Sequence, residues 1–345
     1  MIKRKFFLIP LLALASVLLL TNCSKKPVLH IYSWEDYIAE DVIRGFEKEY
    51  NCQIQVDVFP SNEAMYAKLK AGAAGYDLIV PSSYMSLVMN SQGMLEKLDH
   101  TLLPNVKKFY DKQYDLLALD KKQEFCVPYF ISFTGIGYDV TKVKDFKPSW
   151  KMFEREDLKG KLSLLDDLRE VIGCALLTLG YNANSTNEKE IKEAVALARK
   201  WKKNIAKFGV DDSRNSLANG EFHLIQTYSG DLLQFAVDNP NLRFVIPMEG
   251  TSVTFDTLAI LKNSPNKDLA YKFIDFVYRT EQAIANMNDI YYRMPHKEAA
   301  GKVKKEIRNN PVFNIPPSMF KYCIPLKDLG KDKVLYERAW DEIKR

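Results

Sequence analysis

Alternating strand and helix patterns fill the first part of the sequence, and this order constrains the fold more than any other feature. Residues 28–32 are mainly apolar and strand-like, and an amphipathic helical pattern follows at residues 42–50. Residues 53–59 alternate apolar and polar side chains, residues 62–71 form a second helical pattern, and residues 77–80 are a short apolar strand. The pattern predicts an α/β fold in which helices connect neighbouring parallel strands.

Polar and aromatic side chains follow two of these predicted strands. Residues 33–37 come directly after the first strand, and residues 81–84 come after the third. Open parallel sheets bind their ligands beyond the carboxyl ends of the strands. We therefore expect a binding site where these two segments meet.

The remainder of the chain has α/β signals of its own. A β-rich segment at residues 125–138 interrupts the alternation and is interpreted as a crossover between two lobes. Ser185 and Glu188 have the spacing of a capping box and predict the start of a helix that buries Ile191, Val195 and Ala198. The sequence has no internal repeat or long linker, which favours two lobes joined by several crossings over two consecutive domains.

The N-terminus has the features of an export signal. Three cationic residues, Lys3, Arg4 and Lys5, precede an apolar run at residues 6–20 that is too short to span a bilayer as a standard helix. The run ends just before Cys23, so we expect cleavage after residue 22 and lipid attachment at Cys23. The alternative is an uncleaved short anchor with an ordinary cysteine. Either case places the folded part outside the cytoplasm, and the first predicts the periplasm, at a bacterial membrane.

Composition and charge indicate a globular protein without a nucleic-acid role. The chain is 47% hydrophobic and 27% charged, and its formal net charge of +5 falls to +2 without the three cationic leader residues. Cationic residues in the predicted helix at 189–203 alternate with glutamates, which is typical of a solvated face. Four cysteines remain after Cys23, at 52, 126, 174 and 323, without metal-ligand spacing. Buried free thiols are favoured over disulfides.

Common enzyme motifs are absent from the sequence, but carboxylates lie beside aromatic residues at several predicted strand ends. Glu35 and Asp36 lie between two aromatic residues, Asp167 follows the apolar residues 162–165, and Asp256 follows Phe255. Carboxylates neutralise ammonium groups, and an aromatic face attracts a cation by about 0.5 to 2 kcal/mol. Each of these residues alone is more often structural, but the set suits an alkyl amine.

The sequence also resembles a known family, the polyamine-binding periplasmic proteins of ABC importers. The resemblance spans almost all of the mature chain. It is carried by Tyr-Ser-Trp-Glu-Asp-Tyr at 32–37, Pro-Ser-Asn-Glu-Ala-Met-Tyr-Ala-Lys-Leu-Lys at 60–70, Tyr-Asp-Leu-Ile-Val-Pro-Ser at 76–82, Leu-Leu-Asp-Asp-Leu-Arg-Glu-Val at 164–171 and Asp-Thr-Leu-Ala-Ile at 256–260. It implies a type II periplasmic-binding-protein fold with two α/β lobes and the ligand in the cleft between them.

The resemblance implies eleven ligand contacts. They are Trp34, Glu35, Asp36, Tyr37, Ser82, Tyr84, Asp167, Glu170, Tyr228, Asp256 and Tyr292. In this family pattern the acids pair with ligand nitrogens and the rings enclose the carbon chain. Three positions depart from it: Tyr228 and Thr254 replace tryptophans, and Leu326 replaces a glutamine. These departures put the ligand's length in doubt and favour putrescine over spermidine.

The lobes are expected to be discontinuous in sequence. Residues 1–22 form the signal and residues 23–27 a tether. Residues 28–130 and 254–298 are assigned to the first lobe, and residues 131–253 and 299–345 to the second.

The expected function is polyamine capture and delivery to an ABC permease by a monomer, with no enzymatic activity, no cofactor and no nucleic acid partner. Two alternatives stay open. Adjacent Tyr291 and Tyr292 could serve a ferric ion, because phenolates are hard oxygen ligands. Two of the carboxylates could act as acid and base in a secreted hydrolase.

Overall fold

The computed structural model describes residues 26–345, apart from the side chain of Asp211. Within these residues ten strands form one mixed sheet in the order β2-β1-β3-β9-β4-β7-β5-β6, with β10 beside β9 and β8 beside β4. The strands are β1 (Val28–Ser33), β2 (Gln53–Val58), β3 (Leu78–Ile79), β4 (Val127–Asp139), β5 (Leu162–Leu164), β6 (Ile205–Phe208), β7 (Leu224–Tyr228), β8 (Leu242–Val245), β9 (Thr251–Ile260) and β10 (Cys323–Pro325).

The α-helices lie mainly between successive strands. They are α1 (Glu40–Tyr50), α2 (Asn62–Lys70), α3 (Ser83–Ser91), α4 (Pro104–Phe109), α5 (Leu168–Thr178), α6 (Glu188–Lys202), α7 (Asp211–Ala218), α8 (Ser229–Ala236), α9 (Lys267–Val277), α10 (Thr280–Ile290), α11 (Lys305–Arg308) and α12 (Lys333–Lys344). Short 3-10 helices span His100–Leu102, Lys112–Leu116, Trp150–Glu154, Glu156–Leu158, Ala299–Gly301, Pro317–Tyr322 and Gly330–Asp332.

Two groups of parallel strands form the two halves of the sheet. In the first lobe β1 pairs in parallel with both β2 and β3, as the alternating pattern predicts. In the second lobe β5 pairs in parallel with β6 and β7. Each lobe has its own buried core: Phe46 and Phe273 lie in the first, and Trp150 and Trp201 lie in the second. The predicted α/β class and two-lobed type of fold are confirmed.

The long strands β4 and β9 cross the centre of the sheet and connect the lobes. They pair antiparallel from Val127↔Leu258 to Phe133↔Val253. The predicted lobe boundaries at 130/131 and 253/254 therefore fall inside this paired segment, and they stay predictions. Val303 and Ile307 pack in the first lobe's core although residues 299–345 are assigned to the second lobe, whereas Tyr336 of α12 packs in the second.

The predicted capping box at the start of α6 is wrong. The helix begins after Asn187, whose side chain accepts a hydrogen bond from the backbone N–H of Lys189 at 2.9 Å. Ser185 lies two residues earlier, where its hydroxyl accepts from the N–H of Asn187 and donates to Glu190. The predicted apolar face is confirmed, since Ile191, Val195 and Ala198 are buried.

The cysteines at 52, 126, 174 and 323 are buried and form no disulfides, which confirms the prediction of free thiols. Residues 26–345 contain no helix with the length and hydropathy of a membrane span. Cys23 and the predicted signal lie outside the described residues.

Candidate binding cleft

Three segments of the first lobe bring predicted site residues together at one edge of the sheet. The loop after β1 carries Trp34 and Tyr37, and Ser82 follows β3. Ser82 forms an isolated antiparallel bridge with Asp256, which lies in the middle of β9. In the sheet, β3 lies between β1 and β9. The carboxyl ends of β1 and β3 therefore lie near Asp256 of β9.

Asp256 is a buried carboxylate with two hydroxyl donors. The Tyr37 hydroxyl donates to Oδ2 at 2.6 Å, and the Ser82 hydroxyl donates to Oδ1 at 2.9 Å. Burial raises the pKa of Asp256 to about 6, although the hydrogen bonds from Tyr37 and Ser82 oppose this shift. Trp34 also lowers the Asp256 pKa through its N–H, yet its buried Nε1 makes no hydrogen bond of normal geometry. Asp256 is therefore a carboxyl group in an environment of low dielectric constant, where a nearby cation favours its ionised form.

Two further acids, Asp167 and Glu170, come from the second lobe. Asp167 caps the N-terminus of α5, and its Oδ1 accepts from the N–H groups of Arg169 and Glu170 at 2.8 and 3.1 Å. Glu170 is buried and accepts a hydrogen bond from Ser252. Burial, followed by the charge of Asp167, raises the pKa of Glu170 to about 7. Burial also raises the pKa of Asp167, against its two backbone hydrogen bonds.

Aromatic rings border these acids from both lobes. Tyr228 ends β7, and its hydroxyl donates to Asp167 Oδ2 at 3.3 Å. Tyr84 lies in the first turn of α3 on the first lobe. Burial raises the pKa of Tyr84, and the charges of Glu63 and Asp167 raise it further. The charge of Asp167 on the second lobe thus acts on a ring of the first lobe.

Tyr292 connects the loop after β1 with the start of α8. Its hydroxyl donates to Asp231 Oδ1 at 2.7 Å, and its ring centroid lies 5.8 Å from that of Tyr37. The backbone of Gly230 lies directly behind the ring, because a Cβ at this residue would be 2.3 Å from Tyr292 Cδ2. Glycine thus allows the ring to lie flat against the start of α8.

Two predicted contacts lie apart from this buried group. Glu35 and Asp36 are exposed on the turn after β1, where Asp36 adopts a positive φ of 49°. The polypeptide makes this tight turn to bring both Trp34 and Tyr37 inward. Tyr291, the other member of the tyrosine pair, lines a small cavity with Arg293 and Phe313 instead of joining Tyr292 at Asp231.

The sequence reasoning missed three polar residues that support the site. Asn62 contacts Ser82 and Tyr84, Asp231 contacts Tyr292, and Arg214 forms an ion pair with Asp231 at 3.0 Å. Asn62 begins a helix and Asp231 lies in the first turn of one, so both read as ordinary helix-start residues. Position in the fold, and not local sequence, shows their connection to the cleft.

The chemistry of this arrangement is that of a cation site with apolar walls. Buried carboxylates with raised pKa values release their protons when a cation arrives, and aromatic faces pack against methylene groups. In the part of the chain that the structure describes, no cluster of three or more His, Cys, Asp or Glu side chains is arranged to hold a metal ion.

Comparison with known proteins identifies relatives over almost the whole chain. The model of the bacterial extracellular solute-binding protein family matches residues 41–314. The putrescine-binding periplasmic protein PotF of Escherichia coli is 34% identical, and the alignment covers 96% of this chain and 95% of the relative.

Solved structures agree with this relationship. The TpPotD lipoprotein of Treponema pallidum is 33% identical with a TM-score of 0.84, covering 92% of this chain and 99% of that one. The spermidine/putrescine ABC transporter substrate-binding protein PotD of Streptococcus pneumoniae is 29% identical with a TM-score of 0.80, covering 92% and 100%. Neither the ferric-ion nor the hydrolase alternative gains support from these relatives. The chain belongs to the family of bacterial extracellular solute-binding proteins.

Proposed function

We propose that this protein captures putrescine and spermidine outside the cytoplasm and delivers them to an ABC permease, without catalysing a reaction. The observation that carries the proposal is a set of three acids with raised pKa values between aromatic rings: the buried Asp256 and Glu170 and the half-buried Asp167. The names of the full-length relatives, which refer to putrescine and spermidine, support the same ligand class.

In the proposed complex one ammonium group lies at Asp256 and the other lies toward Asp167 and Glu170. The methylene chain between them packs against Trp34, Tyr84, Tyr228 and Tyr292, while the Tyr37 and Ser82 hydroxyls hold Asp256 in place. Glu35 and Asp36 lie on the exposed turn, where they can meet the ligand only near the entrance of the cleft.

The departures at Thr254 and Leu326 bear on ligand length. Thr254 is half-buried on the same side of β9 as Asp256, and Leu326 is buried. Phe255 points to the opposite side of the strand, where it packs near Tyr114, so it does not supply the missing ring. We expect spermidine's extra arm to gain little here, so that the two amines bind within about tenfold or putrescine binds more tightly.

We also propose that acylated Cys23 anchors a monomer to the membrane. The support is the sequence pattern before Cys23 and the lipoprotein nature of the relative from Treponema pallidum. We propose separately that the boundaries between the lobes lie at residues 131, 254 and 299.

Isothermal titration calorimetry of putrescine and spermidine, with Asp256→Asn beside the parent protein, tests the ligand assignment. The substitution keeps the size of the side chain and removes its charge, which for a buried charge pair costs about 2 to 5 kcal/mol. Affinity should fall tenfold or more.

Asp139→Asn is the matched control, since Asp139 is also buried but only caps the turn at Thr141. It should bind like the parent. If neither amine binds the parent, the ligand class is wrong. If Asp256→Asn binds the amines as tightly as the parent does, Asp256 is a structural residue.

A further inference from the structure

A buried asparagine behind the first-lobe wall of the cleft connects two of the proposed ligand contacts. Asn62 is the first residue of α2 and is 6% exposed. The preceding Ser61 caps this helix, because its hydroxyl accepts a hydrogen bond from the N–H of Ala64 at 3.1 Å. The Asn62 amide is therefore not used as a cap and reaches the end of β3 instead.

The hydrogen bonds of Asn62 fix the orientation of its amide. The backbone N–H of Ser82 donates to Asn62 Oδ1 at 3.0 Å, and a backbone N–H can only donate. The amide nitrogen consequently faces the two hydroxyl groups, with Nδ2 at 3.1 Å from Ser82 Oγ and 3.2 Å from Tyr84 Oη. Its two hydrogens suffice for both bonds.

We propose that Asn62 is a positioning residue of the cleft, whose amide holds the Ser82 and Tyr84 hydroxyls as hydrogen-bond donors. Since Asn62 occupies an acceptor site on each oxygen, Ser82 directs its hydrogen to Asp256 Oδ1 at 2.9 Å and Tyr84 directs its hydrogen to Glu63 Oε1 at 3.2 Å. A donor to a carboxylate favours the ionised form. Asn62 thus acts through Ser82 to keep Asp256 charged for a ligand ammonium, a role that rests on the proposed function.

Other groups also act on Asp256, and the test has to separate them from Asn62. The other polar and charged side chains with an electrostatic interaction with Asp256 come from the loop after β1, from α8 and from the segment after α10: Trp34, Tyr37, Asp231 and Tyr292. None of them is hydrogen-bonded to Asn62. If Asn62 acts through Ser82, its effect on Asp256 disappears when Ser82 is absent.

A carboxyl carbon-13 NMR titration of the free protein measures the Asp256 pKa directly, with the resonance assigned from its loss in Asp256→Asn. Asn62→Ala should raise the Asp256 pKa by about one unit, because the Ser82 hydroxyl is then free to rotate away. Ser82→Ala should raise it as much, and the double variant should raise it no further than Ser82→Ala alone.

Asn62→Asp keeps the shape of the side chain if the alanine variant folds poorly. Its carboxylate accepts the Ser82 hydroxyl hydrogen and withdraws it from Asp256, so the Asp256 pKa should again rise. Asn204→Ala is the matched control, since Asn204 is a buried asparagine of the second lobe that donates to Phe153 O at 3.1 Å. It should leave the Asp256 pKa unchanged.

Putrescine calorimetry provides a second readout. A one-unit rise in the Asp256 pKa predicts an affinity loss of about fivefold at pH 6 and almost none from this source at pH 8 for Asn62→Ala. An unchanged Asp256 pKa in both Asn62 variants, or additive effects of Asn62→Ala and Ser82→Ala, would overturn the inference. Failure of the parent to bind putrescine would instead reject the proposed function, and the NMR result on Asn62 would stand apart from it.

Discussion

At the scale of single residues, the cleft combines strong burial of acids with few charges to neutralise them. Asp256 and Glu170 are 7% and 3% exposed, and their pKa values rise to about 6 and about 7. A buried carboxyl group is costly to ionise unless a cation is present. An ammonium ligand supplies that cation, so binding and proton release are linked.

This linkage predicts the pH dependence of polyamine binding. The free protein carries protons on Asp256 and Glu170 near pH 5 and loses them by about pH 8, while the bound form needs both carboxylates ionised. Affinity should therefore rise as the pH increases through this range. Without ligand, the stability of the fold has the opposite pH dependence. The pKa values of these two carboxyl groups are raised in the folded protein, so their contribution to stability grows as the pH falls below about 7 and is lost as the pH rises through that value.

Calorimetry in buffers of different ionisation enthalpy measures the released protons. We expect about one to two protons released per putrescine at pH 6, and fewer for Glu170→Gln. The absence of proton release at pH 6 would contradict the assignment of these two acids to the ligand.

The main acids of the cleft could be predicted from the sequence, but the residues that hold the site in place could not. Ser82 was predicted because it follows a strand of the parallel sheet, whose carboxyl ends are where such sheets bind ligands. Asp256 was predicted from its position after Phe255 and from the family resemblance. Asn62 and Asp231 were missed because their contacts join segments 20 and 61 residues apart. Glu35 and Asp36 have the right chemistry, yet the positive φ at Asp36 accompanies a turn that leaves both exposed.

At the scale of secondary structure elements, local patterns predicted the strands β1 to β4 and the helices α1, α2 and α6, but they could not predict the long-range pairing of strands. The apolar segment at residues 257–260 is only the end of β9, whose other half pairs with β4 near Phe133. That pairing joins residues more than a hundred positions apart, which no local pattern encodes. The same strand pair carries Asp256 and connects the two halves of the cleft.

The start of α8 gives a test of how closely the elements pack. Gly230→Ala places a methyl group 2.3 Å from the ring of Tyr292, which is itself buried. Relieving such overpacking costs about 1 to 3 kcal/mol and moves Tyr292 from Asp231. The melting temperature and the putrescine affinity should both fall.

Gly173→Ala is the matched control in α5. There the nearest atom to an added Cβ is Ala183 Cβ at 3.6 Å, an ordinary contact, and alanine favours a helix over glycine by about 0.5 to 1 kcal/mol. Its melting temperature should equal or exceed that of the parent. Equal melting temperatures and affinities for the two alanine variants would show that Tyr292 does not need its place against Gly230.

At the scale of the whole molecule, the proposed anchor is separate from the binding unit. The two cores and the cleft lie within residues 26–345, and the proposed lipid attachment site precedes them. Cys23→Ala should release the protein into the aqueous phase in detergent partitioning, abolish acyl labelling, and leave putrescine affinity unchanged. A variant that stays in the detergent phase would indicate that an uncleaved N-terminal segment holds it.

Mass spectrometry of the small molecules released by denaturing the purified protein shows whether this cleft holds a polyamine. We expect putrescine or spermidine in near-stoichiometric amount from the parent protein, and neither from Asp256→Asn prepared in parallel. Release of a ligand without amino groups, or equal amounts of polyamine from both proteins, would contradict this expectation.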